Sequence, residues 1–224
     1  MVHVINDFER PDPQLVQQYI EVAACYSASC VFADVQRRGN VMHSAIKPIF
    51  AVKLVGPALT VKLSPGDLVD PLKALEMGQS GDVIVVDAGG ETETSVCGGL
   101  MGGLAKNRGI AGMIIDGAGR DIDELRAIRF PVFTRSITAR GTHTMLSTRK
   151  DELSINVPIS CGGVVVHPGD MIVADEIGVT VVPRDELETV LTLAREQAER
   201  EEATRQWVAR GKTVDDLLAE FGRI

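Results

Sequence analysis

The spacing of apolar residues divides the chain into helices and short strands. Repeats of three and four residues are typical of helices with one buried face, whereas short apolar runs between glycine- or proline-rich turns are typical of strands. The helical pattern predicts helices over 14–24, 29–38, 70–77, 98–107, 121–128, 185–209 and 213–221. The other pattern predicts strands over 58–63, 83–87, 112–116, 131–134, 164–166, 171–174 and 179–182. This order predicts an α/β protein with a mixed sheet, in which a βαβαβ half precedes a half made of β-hairpins.

Local signals predict where some of these elements begin and end. Ser29 is in a position to cap the second helix, and Asp185 with Glu188 forms a capping-box pattern, with Asp in place of Ser or Thr, at the start of the long helix. Residues 1–12 are interpreted as a loose lead-in, and the polar segment 88–95 as a loop that follows a strand.

The composition predicts one domain over 1–224, of which 184–224 is a helical C-terminal extension. Apolar residues make up 45% of the 224 residues, enough for a substantial core. Only 4% are aromatic, so aliphatic side chains must fill that core. The net charge of −8 argues against a nucleic-acid-binding surface.

The cysteines and the apolar runs predict a cytoplasmic protein without a membrane span. Cys25, Cys30, Cys97 and Cys161 form no C-x-x-C pair, which favours four free thiols in a reducing compartment over a zinc site. The N-terminal residues are polar, unlike a signal peptide, and no apolar run approaches the roughly 20 residues of a membrane span.

The candidate chemistry lies between residues 98 and 124. The turn Gly98-Gly99 follows the strand 83–87, and Arg120-Asp121 follows the strand 112–116. Two apolar strands joined by a helix form a βαβ unit, so the strands should be parallel neighbours whose carboxyl ends share one edge. We therefore expect a helix N-terminus, an arginine and an aspartate to converge.

These three groups together suit a small keto acid. Free amides at a helix N-terminus bind anions, and an arginine fork binds a carboxylate through two parallel hydrogen bonds. An aspartate can hold a hard divalent cation whose remaining ligands are waters. An α-keto acid offers both a carboxylate and a neighbouring oxygen for such a cation.

The spacing from Gly99 to Arg120-Asp121 and on to Glu124 resembles the signature of the metal-dependent 4-hydroxy-4-methyl-2-oxoglutarate / 4-carboxy-4-hydroxy-2-oxoadipate aldolases. This superfamily also includes the regulator of ribonuclease E activity. Segments similar to family landmarks extend over nearly the whole chain: Gly56-Pro57-Ala58, Ser64-Pro65-Gly66-Asp67, Gly81-Asp82-Val83, Asn156-Val157-Pro158, Gly162-Gly163-Val164, His167-Pro168-Gly169-Asp170 and 174–179.

The resemblance implies a layered β/β/α swivelling-type sandwich that binds Mg²⁺ or Mn²⁺ and a small keto-acid substrate. It also implies a homotrimer, or a hexamer of two trimers, with sites at subunit interfaces. The implied reaction is retro-aldol release of pyruvate, with oxaloacetate decarboxylation as a second activity through the same enolate.

The resemblance also implies roles for individual residues. Asp121 would bind the metal, partly through water, and Arg120 would pair with the C1 carboxylate of the substrate. Glu124 would act as a supporting carboxylate, although an acid in the first turn of a helix is also favoured by the helix dipole. The substrate carboxylate would be bound by the backbone amides of Gly98, Gly99, Leu100 and Met101. The glycines are equally compatible with close packing of a helix on a sheet.

The chain departs from the family pattern at two places. Family members commonly carry an acid in the turn where this chain has Gly98-Gly99, and Glu91 or Glu93 is a candidate replacement. They often carry an asparagine and a histidine in the region that reads Leu-Val-Asp-Pro-Leu over 68–72 here. In the family a C-terminal glutamate reaches a neighbouring subunit, and Glu196 and Glu199 are the candidates.

Two other functions are compatible with the same resemblance. One is a non-catalytic regulator that binds a ribonuclease. The other is a methyltransferase acting on a menaquinone precursor, a label that relatives carry, although the segment after strand 83–87 lacks a compact G-x-G pattern. Intact Arg120, Asp121 and Glu124 favour an enzyme, but a shared fold does not decide the function.

Overall fold

The structure is a computed structural model, and it describes residues 4–64, 69–142 and 154–222. The strands are β1 (Val4–Ile5), β2 (Lys47–Pro48), β3 (Leu54–Lys62), β4 (Val83–Cys97), β5 (Gly112–Gly119), β6 (Val132–Ile137), β7 (Ser154–Ile155), β8 (Ile159–Cys161), β9 (Val164–Val166), β10 (Met171–Ala174) and β11 (Val179–Val182). The helices are α1 (Pro13–Val22), α2 (Ala28–Val35), α3 (Val69–Met77), α4 (Gly99–Asn107), α5 (Ile122–Ala127), α6 (Leu187–Ala209) and α7 (Val214–Phe221).

The central sheet is mixed, and its strand order is β1-β7-β3-β4-β5-β6-β2. Strands β3, β4, β5 and β6 are parallel, and the register sets Val83 opposite Gly112 and Asp87 opposite Asp116. Strand β10 pairs antiparallel with both β3 and β11, so the β10–β11 hairpin continues from the sheet. The predicted βαβαβ half and the predicted hairpins are therefore both present.

Apolar side chains on the two faces of the sheet form separate parts of the core. On one face, α3, α4 and α5 cover residues such as Val86 and Ile115, and Leu125 of α5 belongs to the same cluster. On the other face, the hairpins β8–β9 and β10–β11 pack over residues such as Val85 and Ile114. The far side of β10–β11 is covered by α1, α2 and α6. The mixed α/β class is thus confirmed, and a further layer of helices lies outside the two β layers.

Strand β4 is longer than predicted. The polar segment 88–95, expected to be a loop, remains paired with β5, because Glu91 lies opposite Gly117 and Ser95 lies opposite Ala118. Shifts in register separate these pairs, so the extra residues of β4 bulge out between them. Polarity alone does not distinguish such a bulged strand from a loop.

The N-terminal segment is not a loose lead-in. Residues Val4–Ile5 pair in parallel with Ser154–Ile155. Arg10 binds the carboxylate of Asp82 twice, with Nε at 2.9 Å from Oδ1 and a terminal nitrogen at 2.7 Å from Oδ2. Asp82 is 1% exposed, so this pair fixes residues 4–12 against the amino-terminal end of β4.

Two predicted helix caps are wrong. Ser29 lies inside α2, where its amide and hydroxyl both donate to Asp175, at 2.9 and 2.7 Å. Residues Arg184–Glu186 form a 3-10 turn ahead of α6, and no side chain caps that helix. A capping box does occur at α7, between Thr213 and Asp216.

The C-terminal helices lie on the outer helical layer. The first half of α6 is buried against α1 and α2 through Val190, Leu191 and Ala194. The second half of α6 packs against α7 through a ring contact between Trp207 and Phe221. Across the described ranges, no helix is both long and apolar enough to cross a bilayer. All four cysteines have free thiols.

Candidate active site

Strand pairing brings the two halves of the predicted motif together. Cys97, the last residue of β4, lies opposite Gly119 of β5, and the amide of Arg120 donates to the carbonyl of Cys97 at 2.9 Å. The residues that follow each strand, Gly98 on one side and Arg120 on the other, are therefore adjacent. The convergence expected from the sequence is present in the structure.

Asp121 faces the N-terminus of α4. It adopts a left-handed backbone conformation (φ 50°), and its Oδ2 accepts from the amide of Gly99 at 3.1 Å. Nε of Arg120 lies 3.5 Å from the same oxygen. The side chains of Arg120 and Asp121 are 45% and 42% exposed, so neither is enclosed by the protein and both can reach a ligand.

The glycine turn is necessary because two carboxylates lie against it. A Cβ at Gly98 would stand 2.4 Å from Oδ2 of Asp121, and a Cβ at Gly99 would stand 1.9 Å from Oε2 of Glu124. Gly102 has a different role, since a Cβ there would meet Leu125 of α5 at 2.2 Å. The first two glycines make room for acids, and the third allows close helix packing, so both interpretations of the glycines hold at different positions.

The first turn of α4 presents amides to the site. The helical ladder begins with the amide of Gly102, which donates to the carbonyl of Gly98 at 3.0 Å. The amides before it have no acceptor within the helix. Asp121 uses the amide of Gly99, and no described residue accepts from the amides of Leu100 and Met101, so these two can bind an anion.

These groups line a cavity of about 170 Å³ between α3, α4 and the ends of β4 and β5. Arg120 and Asp121 form its polar end. Leu72, Leu100, Met101 and Leu104 line the other walls. Glu91 and Glu93, the candidate replacements for the acid missing from the turn, are not among the lining residues, and the carboxylate of Glu91 accepts from the amide of Glu93.

Cys97 lies directly under the site and remains a neutral thiol. Burial raises its pKa to about 12, and the nearby carboxylate of Asp121 raises it further. A thiol nucleophile needs a lowered pKa, usually from a neighbouring cation. The environment of Cys97 does the opposite.

The donor chemistry of the site suits a hydrated magnesium-type cation. No group of three His, Cys, Asp or Glu side chains able to hold a metal ion occurs within the described ranges. A site made of one or two carboxylates is nevertheless what Mg²⁺ commonly uses, because the ion retains several waters and takes further ligands from its substrate. Asp121 has its Oδ1 free of any described donor, and Glu124 lies alongside at Gly99.

The other acids named as candidates lie elsewhere in the chain. Glu199 lines a groove between α1 and α6, in the outer helical layer, and Glu196 lies on the same helix. Their predicted contribution to a neighbouring subunit stays a prediction. The landmark Ser64-Pro65-Gly66-Asp67 falls mostly outside the described residues, as does Leu68 of the segment 68–72. Leu72 of that segment lies in α3 and lines the cavity.

A second arginine–aspartate pair, not anticipated from the sequence, lies on the opposite face of the same strands. Nε of Arg135 in β6 lies 2.5 Å from Oδ1 of Asp116 in β5. The other oxygen of Asp116 accepts from the amide of Gly162 at 2.8 Å, in the turn of the β8–β9 hairpin. Asp87 accepts from the amide of Ser160 at 3.4 Å. These contacts hold the hairpin against the sheet.

The fold is shared with one class of proteins. The model of the RraA-like family, described as Aldolase/RraA, matches residues 19–181. The chain belongs to this family.

Individual relatives cover most of the chain. A protein of Halalkalibacterium halodurans provisionally named 4-hydroxy-4-methyl-2-oxoglutarate aldolase is 43% identical over 169 residues, 75% of this chain and 78% of the relative. The structure of Streptomyces coelicolor RraAS2, described as an unusual member of the RNase ES inhibitor RraA family, is 29% identical with a TM-score of 0.73, covering 89% of this chain and 99% of that one. An uncharacterised protein from Pseudomonas syringae pv. tomato shares the fold, with a TM-score of 0.81 over 99% and 100% of the two chains at 24% identity.

Proposed function

We propose that the chain is a divalent-cation-dependent pyruvate lyase that cleaves a 4-hydroxy-2-oxo acid between C3 and C4. The observation that carries this proposal is the meeting of Arg120, Asp121 and the free amides of α4 around one cavity. The relatives provisionally named as 4-hydroxy-4-methyl-2-oxoglutarate aldolases support the same reaction class. Oxaloacetate decarboxylation is the expected side activity.

Each group at the site has a part in this reaction. The guanidinium of Arg120 and the amides of Leu100 and Met101 would hold the C1 carboxylate. Asp121, with Glu124 behind it, would hold Mg²⁺ or Mn²⁺ through a shell rich in water. When bound, the cation supplies Lewis acidity towards the 2-oxo oxygen.

The protein contributes orientation and fixed charge to the bond cleavage. The C4 hydroxyl gives its proton to a water and becomes a carbonyl as the C3–C4 electron pair moves towards the C2 oxygen, and C3 later takes up a proton from water to give pyruvate. Arg120 stabilises the negative charge that develops next to the carboxylate it holds, and it needs little rearrangement to do so. As part of the proposal, the sites lie at the subunit interfaces of a homotrimer or hexamer.

The test is pyruvate release from 4-hydroxy-4-methyl-2-oxoglutarate and from oxaloacetate, with Mg²⁺ or Mn²⁺ and then with EDTA. Arg120→Ala and Asp121→Ala are compared with Arg195→Ala, which removes an exposed arginine of α6. Turnover that requires the metal and is lost only in the first two variants is the expected result. Turnover that survives EDTA, or that survives Arg120→Ala, would reject the mechanism.

The second candidate is a regulator that binds a ribonuclease, and the likeness to the Streptomyces RraAS2 structure favours it. It predicts inhibition of a ribonuclease E-type enzyme by the folded chain, without pyruvate release from either substrate. Inhibition that survives Asp121→Ala would show that binding does not depend on the candidate active site.

The methyltransferase alternative is tested by calorimetry with S-adenosylmethionine. We expect the protein not to bind this compound.

A further inference from the structure

Three large apolar side chains surround the mouth of the active-site cavity and are accessible to solvent in the single chain. Leu72, Leu100 and Leu104 all line the cavity, and they are 38%, 81% and 53% exposed. Leu100 and Leu104 are four residues apart on α4, so they lie on the same side of the helix. Met101 forms the buried wall behind them, with 6% exposure. Exposed leucines concentrated around a mouth of this kind mark a binding surface.

The charges of the cavity lie at one end only. Among the described residues that line it, Arg120 is the single cation and Asp121 the single anion, and they lie next to each other. A substrate whose C1 carboxylate binds Arg120 must direct its other end towards the leucines. A second carboxylate placed there would lose part of its hydration against the leucines, and no described residue that lines the cavity supplies a cation to compensate, which is unfavourable.

The size of the cavity also suits a small substrate. Its volume of about 170 Å³ is enough for a short keto acid.

We infer that the site selects 2-oxo acids whose end distal to the C1 carboxylate is uncharged and apolar, and that Leu104 is a residue that sets this selectivity. Together with the proposed function, on which the cleavage part of this inference rests, the substrate class becomes the monocarboxylic 4-hydroxy-2-oxo acids. The tail of such a substrate packs against Leu72, Leu100 and Leu104, and retro-aldol cleavage releases pyruvate and a neutral aldehyde or ketone.

A matched pair of substrates tests the inference by kinetics. 4-Hydroxy-4-methyl-2-oxopentanoate differs from 4-hydroxy-4-methyl-2-oxoglutarate only by a methyl group in place of the distal carboxylate. With Mg²⁺, the wild type is expected to show a higher kcat/KM for the monocarboxylate, measured by pyruvate release. A higher kcat/KM for the dicarboxylate overturns the inference.

The two substrates differ in intrinsic reactivity, and this difference is the same for every variant. The ratio of their kcat/KM values is therefore compared between the wild type and variants of Leu104. Leu104→Arg places a second cation at the mouth and should shift the dicarboxylate-to-monocarboxylate ratio of kcat/KM about tenfold towards the dicarboxylate. Leu104→Gln adds polarity without charge, and Leu193→Arg adds the same charge at a leucine of α6 that is 41% exposed. Both should keep the wild-type ratio within about twofold. A shift below fivefold in folded Leu104→Arg, checked by circular dichroism, counts against the inference.

Binding of analogues that cannot be cleaved separates this inference from the proposed function. Calorimetry with Mg²⁺ should show tighter binding of 2-oxohexanoate than of 2-oxoglutarate. If neither hydroxy acid is cleaved but this preference appears, the lyase proposal fails and the selectivity stands. If 2-oxoglutarate binds as tightly or more tightly, the selectivity fails whatever the outcome of the lyase assay.

Discussion

Two arginine–aspartate pairs, Arg120–Asp121 and Arg135–Asp116, lie near the same strand ends and differ in what they leave unbound. Asp116 has 9% of its side chain exposed, and both of its oxygens are occupied, one by Arg135 and the other by the amide of Gly162. Asp121 has 42% exposed, shares one oxygen with Gly99, and accepts nothing on the other from any described residue. The first pair is complete within the chain, whereas the second has capacity for a ligand.

This difference shows that the residue types alone do not mark a functional pair. An arginine beside a carboxylate in a buried setting fixes one piece of structure to another, and its loss destabilises the fold. The same two residue types at an exposed strand exit contribute little to stability. Their placement at a helix N-terminus therefore calls for a functional explanation, which the proposed lyase site provides.

The largest expected effect is the loss of pyruvate release when the exposed pair Arg120–Asp121 is broken. Arg120→Ala should lower kcat/KM for pyruvate release by about 1,000-fold, roughly 4 kcal/mol, because the charge that holds the substrate and stabilises the developing anion is lost. The melting temperature should change by less than about 2 °C, since substitutions at exposed positions rarely affect stability. Coupled lactate dehydrogenase assays and thermal melts measure the two quantities. Activity of Arg120→Ala within tenfold of the wild type would contradict the catalytic role proposed for the Arg120–Asp121 pair.

The next effect should appear in stability. Asp116→Ala leaves Arg135 and the Gly162 amide without their partner and should cost about 2–3 kcal/mol, below the usual value for a buried pair because Arg135 is 20% exposed. For a chain of this size the melting temperature should fall by about 5–10 °C. Asp121→Ala is the matched variant and should melt like the wild type. Equal melting temperatures for both variants would remove the distinction between the pairs.

A smaller effect tests the glycine turn that supports Asp121. Gly98→Ala places a methyl group 2.4 Å from the present position of Oδ2, so the carboxylate must move, and kcat/KM should fall about 30-fold, or roughly 2 kcal/mol. Gly103→Ala is the control, because apart from the neighbouring backbone of α4 no described atom lies within 4 Å of its added methyl group. It should stabilise α4 by about 0.5–1 kcal/mol. A Gly98→Ala enzyme as active as the wild type would show that the position of Asp121 is unimportant.

The smallest effect concerns the thiols under the two pairs. Burial raises the pKa of Cys97 to about 12 and raises that of Cys161 well above its usual value, with Asp121 and Asp116 respectively adding to the rise. At pH 8 roughly one Cys97 in 10,000 is then a thiolate, the form that reacts with iodoacetamide. Labelling followed by mass spectrometry should find both thiols protected, and Cys161 but not Cys97 should become reactive in Asp116→Ala.

The sign of the pH effect follows from the same pKa values. Because the folded pKa of each thiol lies above the ordinary value of 9, the stability that protonation provides is complete below pH 9. That contribution decreases as the pH rises through the folded pKa. Stability that increased between pH 9 and 11 in the wild type would contradict the burial of these thiols.

The sequence was most informative where patterns are local. The order strand, glycine turn, helix, strand and Arg-Asp predicts how these parts are arranged, because the two parallel strands of a βαβ unit end side by side. Strand β4 and the helices α4 and α5 could therefore be predicted, and with them the meeting of Arg120 and Asp121. The start of β4 was correct, and its end was missed because seven of the eight residues from Ala88 to Ser95 are glycine or polar.

The missed features depend on partners that are distant in the chain. Asp116 pairs with Arg135 and Gly162, and Arg10 pairs with Asp82, at separations of 19, 46 and 72 residues. No periodicity reveals such contacts. Capping was misjudged for a related reason, since Asp185 and Thr213 carry the same local signal and tertiary packing of α6 decides between them. The leucines at the cavity mouth look like ordinary helix residues until α3 and α4 are placed side by side.

The bulged part of β4 has a consequence for how this protein can be altered. Between the pairs Asp87–Asp116 and Cys97–Gly119, β4 advances ten residues while β5 advances three. Pairing therefore resumes seven residues out of the earlier register, and Gly98 is positioned by the pair Cys97–Gly119 that directly precedes it. Sequences of other lengths could replace the residues between these pairs, 88–90 and 92–94, to build new recognition elements, provided that Glu91 and Ser95 keep their places opposite Gly117 and Ala118.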